Sequence, residues 1–203
     1  MNVYEKFEII YWASAGCASR SICGFLARIS KDTGLSYNRD TGEYSQLTAC
    51  GHTPVVPPDY QAWPIVCAMK NPYSLAVSSF MDIHAVEPHV TFEEYIKEHD
   101  FFGIPHQQWQ KTPDYFIRIE SLKSDLESIP QLREAVSDDL WNQSMDSCIV
   151  TNHHANENQL DEYDGNGVQR TDKWYNQELA DIVYEREKFI FDLCGYDKDS
   201  WKV

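Results

Sequence analysis

The stretch F-E-I-I-Y-W-A-S-A-G-C-A-S-R-S-I, residues 7–22, predicts a buried strand, a turn of small residues and the start of a helix. Residues 7–12 form a short apolar and aromatic run, which is typical of a buried strand. Residues 13–19 are all small, and apolar residues follow at helical spacing from Ile22 to Ile29. A strand, a tight turn and a helix in this order direct helix N-terminal N–H groups towards an anion.

A second strand and turn follow at residues 63–72, W-P-I-V-C-A-M-K-N-P. The apolar run predicts a buried strand that ends before Lys70. Pro72 stands where a helix takes its first turn, and apolar residues follow at helical spacing. Lys70 at the strand end and Ser78 two helical turns later can both reach one phosphate group.

The rest of the chain continues the alternation of strands and helices. Residues 114–119 predict a third strand, residues 91–94 a capping box at a helix start, and residues 177–194 an amphipathic helix. Residues 30–62 are expected to be mostly loop, and the polar residues 142–172 a long functional loop. The alternation predicts an α/β fold with a parallel sheet, in a single domain over residues 1–203.

Composition limits the classes of partner. The formal net charge of −15 disfavours binding to nucleic acid or to anionic lipid. No apolar run approaches the roughly 20 residues that cross a bilayer, and residues 1–7 are charged where a signal peptide would be apolar. The six cysteines show no C-x-x-C pair, and we expect them to be reduced and mostly buried. These features predict a cytoplasmic protein without a membrane or nucleic-acid partner.

The ordered motifs resemble those of the sulfotransferases that use 3′-phosphoadenosine 5′-phosphosulfate (PAPS). In that family a strand ending in Arg-Asn-Pro, with a serine eight positions after the arginine, binds the 3′-phosphate. Residues 70–78 match this pattern with lysine in place of arginine. Residues 15–19 are similar to the family's 5′-phosphosulfate loop, residues 114–122 to a later strand, and residues 174–196 to the closing helix and its end.

The resemblance implies a P-loop-like parallel sheet flanked by helices, with PAPS as co-substrate and 3′-phosphoadenosine 5′-phosphate (PAP) as product. The acceptor would be a hydroxyl group, on a carbohydrate or a small molecule. The residues implied to bind the donor are Ser14, Ala15, Gly16, Cys17, Ala18, Ser19, Arg20, Lys70, Ser78 and Arg170.

One position departs from the family pattern. The family has a lysine, or sometimes an arginine, just before the 5′ loop, and this chain has Ser14. A missing cation there could remove several kcal/mol of transition-state stabilisation. Arg20, a few residues further on, could reach the same phosphate and replace that cation.

The acceptor hydroxyl needs a base. His52, in the segment Gly-His-Thr-Pro, lies where cytosolic members of the family carry their catalytic histidine, and a histidine pKa near neutrality suits the role. His106 is the second candidate, and Glu87 a weaker one. No set of residues has the spacing of metal ligands, so we expect no metal.

Other classes of function remain open from sequence alone. The change at Ser14 keeps open a PAPS- or PAP-binding protein of this fold with little or no turnover. A kinase-like P-loop phosphotransferase would need the G-x-x-x-x-G-K-[ST] pattern, which is absent from the sequence. A structural protein without a nucleotide would bind neither PAPS nor PAP.

Overall fold

The computed structural model describes residues 1–14, 16–31, 34–38, 43–46, 55–98, 109–153 and 170–202, with the side chains of residues 37, 38, 46 and 149–153 excepted. The chain divides into two compact units. Unit 1 comprises Met1–Met69 and Ile104–Ala155, and unit 2 comprises Lys70–Gly103 and Asn156–Val203. The single domain over residues 1–203 stays a prediction.

Unit 1 contains a mixed six-stranded sheet. Its strands are Asn2–Tyr4 (β1), Ile9–Trp12 (β2), Leu35–Asn38 (β3), Glu43–Gln46 (β4), Ile65–Met69 (β5) and Tyr115–Arg118 (β6). Their order across the sheet is β4-β3-β1-β2-β5-β6. Strands β2, β5 and β6 run parallel, whereas β1 pairs antiparallel with β2 and with β3, and β3 pairs antiparallel with β4.

The α/β class is thus correct, and the expectation of a parallel sheet holds for only half of it. The three predicted strands are the three parallel ones. The prediction of loop over residues 30–62 is wrong where β3 and β4 form. These two strands are short and polar, and they are strands because they pair with each other and β3 pairs with β1, which a local pattern does not reveal.

The helices are Ser19–Ser30 (α1), Pro72–His84 (α2), Phe92–Glu98 (α3), Leu122–Glu127 (α4), Pro130–Arg133 (α5), Asp138–His153 (α6) and Gln177–Cys194 (α7). The predicted closing helix has the bounds of α7. The predicted capping box is formed: the backbone N–H of Thr91 donates to Glu94 at 2.9 Å, and the backbone N–H of Glu94 donates to Thr91 at 3.2 Å. None of the helices in the described ranges has both the length and the hydropathy to span a bilayer.

Helix α6 corrects the predicted loop over residues 142–172. Residues up to 153 are helical, because Trp141, Met145 and Cys148 form a buried stripe at helical spacing. The ring of Trp141 contacts that of Phe25 on α1, with centroids 5.1 Å apart. Residues 154–169 of that predicted loop lie outside the described residues.

Unit 2 is built from α2, α3 and α7 around an aromatic core. Tyr73 lies within 5.1 Å of both Tyr175 and Phe191, measured between ring centroids. Phe80 packs against Phe92 of α3 at 5.3 Å. These contacts hold the first two turns of α2 in place. Lys70 lies just before these turns and Ser78 at their end.

One of the described cysteines differs from the expectation. Cys17, Cys67, Cys148 and Cys194 are free and buried, as predicted. Cys23 is disulfide-bonded, so the expectation of six reduced thiols is wrong there. Cys50 lies outside the described residues.

Candidate functional site

The first candidate turn, residues 13–19, follows β2 and ends at the start of α1. Gly16 and Ala18 have φ angles of 72° and 50°, both in the left-handed region. The conformation is ordinary for glycine and uncommon for alanine. The backbone N–H of Cys17 donates to the carbonyl of Ser14 at 3.3 Å. Ala15 lies outside the described residues.

The two serines of this turn are directed inwards. Ser14 is buried, and its Oγ lies 3.4 Å from Sγ of Cys67. Ser19 donates its hydroxyl to the carbonyl of Ser14 at 2.7 Å, so its side chain closes the turn and does not cap the helix. The position where the family resemblance implies a cation therefore holds a buried hydroxyl next to a thiol.

Arg20 supplies the cation that lies nearest in sequence. It is in the first turn of α1 and is exposed. Within the described chain its guanidinium makes no hydrogen bond and no ion pair. A guanidinium in this state keeps its donors available for an anion.

The second candidate turn comprises Lys70 and the start of α2. The ammonium of Lys70 donates to Oγ of Ser78 at 2.7 Å. The Ser78 hydroxyl in turn donates to the carbonyl of Ser74 at 3.0 Å, one helical turn earlier. Both side chains are half-buried. The ammonium and the hydroxyl predicted to bind one phosphate are thus brought together within unit 2.

Asn71 fixes the beginning of α2. Its side-chain oxygen accepts from the backbone N–H of Tyr73 at 3.0 Å, which makes Asn71 the N-cap, and Pro72 takes the first helical position. The side-chain nitrogen of Asn71 donates to Ser200 at 2.8 Å. Tyr73 donates its hydroxyl to the carbonyl of Lys198 at 2.7 Å. The segment around residues 198–200 therefore stabilises this helix start, a role that no local pattern in the sequence indicates.

The charge at the helix starts distinguishes these two helices. Among the described helices longer than six residues, only α1 and α2 begin without an acidic residue in the first turn. Acidic first turns complement the positive end of the helix dipole. Without such a residue, the positive ends of α1 and α2 keep their attraction for an outside anion.

Half of the lysines and arginines in the described ranges are held in ion pairs. The eight that pair with a carboxylate are Lys97, Lys111, Arg118, Arg133, Arg170, Lys188, Lys198 and Lys202. Arg20, Arg28, Lys31 and Lys123 have no ion-pair partner in the described ranges. In the described part of the chain, ion pairing therefore halves the number of cations that can bind an outside anion.

The remaining predicted site residues are Arg170, His52, His106 and Glu87. Arg170 is exposed and lies 3.4 Å from Asp172, so its charge is shared with a carboxylate. His52 and His106 lie outside the described residues. Glu87 is exposed. Among the described residues no group of three histidines, cysteines or carboxylates could hold a metal ion.

Tyr11 and Trp12, at the end of β2, are core residues. Both are buried, and the Trp12 ring packs against Trp109 with centroids 5.2 Å apart. Burial is the main reason that the pKa of Tyr11 is raised well above its usual range. Neighbouring thiols such as Cys67 raise it further. The Tyr11 hydroxyl therefore stays protonated and does not serve as a base.

No family model, no curated protein and no solved structure matches this chain. Its function therefore has to be inferred from its own residues and their geometry.

Proposed function

We propose that this chain is a PAPS-dependent sulfotransferase that moves a sulfuryl group onto an acceptor hydroxyl, on a carbohydrate. The observation that carries the proposal is the 2.7 Å contact between the Lys70 ammonium and the Ser78 hydroxyl. These are the two residue types that the 3′-phosphate motif of the family requires, eight positions apart. The finer P-loop-like form of the α/β fold belongs to the same proposal.

The Lys70–Ser78 pair fits a phosphate group chemically. A phosphate oxygen can accept from the ammonium, which has three donors, while Ser78 keeps its hydroxyl oriented by the Ser74 carbonyl. The first turn of α2 lacks acidic side chains, so no carboxylate neutralises the positive end of its dipole there. In the proposed complex Lys70 binds the 3′-phosphate, and Ser78 holds the ammonium in position.

The first turn would serve the 5′-phosphosulfate end of the donor. Gly16 leaves room for a close approach of an anion to the backbone, and Arg20 offers a guanidinium without a partner in the described chain. Ser14 contributes its backbone only, since its hydroxyl contacts Cys67.

The reaction is an in-line displacement in which position and charge stabilisation supply most of the rate. The acceptor oxygen forms a bond to sulfur while the bond from sulfur to the bridging phosphate oxygen breaks, and that oxygen leaves with PAP. The acceptor proton passes to a base, for which His52 is the first candidate and His106 the second. The leaving phosphate gains negative charge, which Arg20 is proposed to stabilise.

The deciding experiment measures PAP affinity by calorimetry and sulfuryl transfer from labelled PAPS. We expect the Lys70→Ala/Ser78→Ala variant to bind PAP at least tenfold more weakly, since a hydrogen bond to a charged group contributes roughly 1.5–3 kcal/mol. Lys70→Arg is expected to retain binding, because it keeps the charge and adds bidentate geometry.

A matched control is available for this double variant. Lys123→Ala removes an exposed lysine, and Ser147→Ala removes a hydroxyl that donates to the carbonyl one helical turn back, at 3.1 Å, as Ser78 does. The control variant Lys123→Ala/Ser147→Ala is expected to bind PAP like the unmodified chain. Equal PAP affinity in both double variants and the unmodified chain would overturn the proposal.

The buried Ser14 favours a second candidate, a PAP-binding protein with little turnover. A serine hydroxyl next to Cys67 provides no positive charge for the leaving phosphate. The same pair of measurements separates the two candidates: PAP binding with transfer supports the enzyme, and PAP binding without transfer to any hydroxyl compound supports the binding protein.

A further inference from the structure

The charge of the chain bears on the acceptor, given the proposed function. The formal net charge is −15, from 17 basic and 32 acidic residues. Each ion pair within the chain cancels one charge of either sign, so pairing leaves this excess unchanged. It does reduce the number of cations that can bind a second anion.

The ion pairs of the described chain show which basic residues are already bound to carboxylates. Lys97 alone contacts two carboxylates, Glu93 at 2.7 Å and Glu178 at 2.9 Å. Arg118 binds both carboxylate oxygens of Asp125, at 2.9 and 2.8 Å. Basic residues that are held in this way are not available to neutralise an acceptor.

Further cations are bound to neutral oxygen atoms. Arg186 donates to the carbonyls of Ile96 and Lys97 at 2.6 and 3.2 Å, at the end of α3. Lys6 donates to the carbonyl of Ile29 at 2.6 Å. Both contacts stabilise helix ends. They reduce again the basic surface that could face a ligand.

The proposed function assigns Lys70 and Arg20 to the donor, which is itself an anion at both ends. An anionic acceptor would approach a negatively charged protein that also carries a negatively charged co-substrate. Like charges slow association and weaken binding, and the effect extends over tens of ångströms at low salt.

We propose that the acceptor is a hydroxyl compound without anionic groups, so that sulfated and uronic-acid polysaccharides are not substrates. This inference rests on the proposed function and narrows it to uncharged or ammonium-bearing hydroxyl compounds. The same electrostatic field attracts an ammonium group, which therefore raises the rate of productive encounter.

The test compares the methyl glycosides of glucose, glucosamine and glucuronic acid, which differ in charge on one sugar frame. At about 20 mM salt we expect kcat/KM for sulfuryl transfer to be at least tenfold lower for the glucuronide than for the glucosaminide, with the glucoside between them. Because salt screens charge, the gap is expected to shrink to about twofold at high salt. A glucuronide that is used as well as the glucosaminide at low salt would overturn the inference.

A binding measurement supplies a readout that needs no turnover. PAP-loaded protein is titrated with a heparin oligosaccharide at the same low salt, and no binding is expected. Micromolar binding would overturn the inference. PAP binding is measured first on the same preparation and tests the proposed function separately. If PAP does not bind, the proposed function is overturned. If both PAP and heparin bind, only the proposed acceptor class is overturned.

Charge variants separate the electrostatic field from local contacts. Glu127, Glu134, Asp139 and Asp146 are exposed acidic residues of unit 1 without an ion pair in the described chain. Changing all four to glutamine or asparagine is expected to reduce the ratio of kcat/KM for the glucosaminide to kcat/KM for the glucuronide at least twofold. The charge-preserving set, with each Glu changed to Asp and each Asp to Glu, is expected to keep the original gap. An unchanged gap in the neutralised set would count against an electrostatic origin.

Discussion

Oγ of Ser14 lies 3.4 Å from Sγ of Cys67. Cys67 is on β5, which pairs in parallel with β2, the strand that precedes Ser14. Because Trp12 pairs with Cys67 and Ser14 lies two residues after Trp12, the side chains of Ser14 and Cys67 are on the same face of the sheet. The side chain of Ser14 therefore belongs to the packing between β2 and β5, and its hydroxyl does not point to a ligand.

This contact predicts the behaviour of Ser14→Ala. Because the hydroxyl contacts a thiol, we expect PAP affinity to change by less than about twofold and the free energy of unfolding to fall by less than about 1 kcal/mol. Calorimetry and urea denaturation measure the two effects. A tenfold loss of PAP affinity would show that the hydroxyl itself binds the nucleotide.

Arg20 is expected to matter for turnover. Arg20→Ala should lower kcat for sulfuryl transfer at least tenfold, because the leaving phosphate would lose a charge-assisted hydrogen bond. Arg28→Ala is the matched control: Arg28 is exposed in the last turn of the same helix, without an ion pair in the described ranges. The control should leave kcat unchanged. If Arg20→Ala kept both PAP affinity and kcat, Arg20 would not replace the missing lysine.

The sequence predicted what depends on local pattern and missed what depends on pairing. The helix period places Ser78 on a face of α2 that the long side chain of Lys70 can reach, so their contact could be expected from an eight-residue spacing. The inward direction of Ser14 depends on the register between β2 and β5, which no local pattern contains. Helix α6 was missed because polar residues separate its buried apolar residues Trp141, Met145 and Cys148, although their spacing is helical.

The N-cap at Asn71 has a predicted effect on stability. Asn71→Ala should lower the free energy of unfolding by about 1–2 kcal/mol, because it removes the cap of α2 and the hydrogen bond to Ser200. Asn71→Asp keeps the capping acceptor and loses the donor, so an intermediate loss is expected. Urea denaturation measures both variants.

Asn176 provides the comparison for this cap. Its side chain caps α7 by accepting from the backbone N–H of Leu179 at 3.0 Å, and no hydrogen bond of its side chain to a second segment is found in the described chain. Asn176→Ala should therefore cost about 1 kcal/mol, close to the loss of a cap alone. A loss in Asn71→Ala no larger than in Asn176→Ala would mean that the bond to Ser200 contributes nothing.

The ion pair between Arg118 and Asp125 predicts a pH dependence of stability. Burial raises the pKa of Asp125, but the hydrogen bonds from the Arg118 side chain and backbone outweigh it and lower the pKa below its ordinary value of 3.8. A carboxyl whose pKa is lower in the folded state stabilises the fold above its unfolded pKa. That contribution is lost as the pH falls through the folded value, below about 4.

We therefore expect Asp125→Asn to lower the free energy of unfolding by about 1–2 kcal/mol at pH 7, at the lower end because Arg118 is partly exposed. The difference from the unmodified chain should shrink as the pH falls from 4 to 2, since Asp125 is then protonated in both states. Urea denaturation at pH 7, 4, 3 and 2 measures it. Asp146→Asn, at an exposed position in the middle of α6 without an ion pair in the described chain, should show no such trend. A difference for Asp125→Asn that stayed constant over this range would mean that the charge of Asp125 adds nothing to the fold.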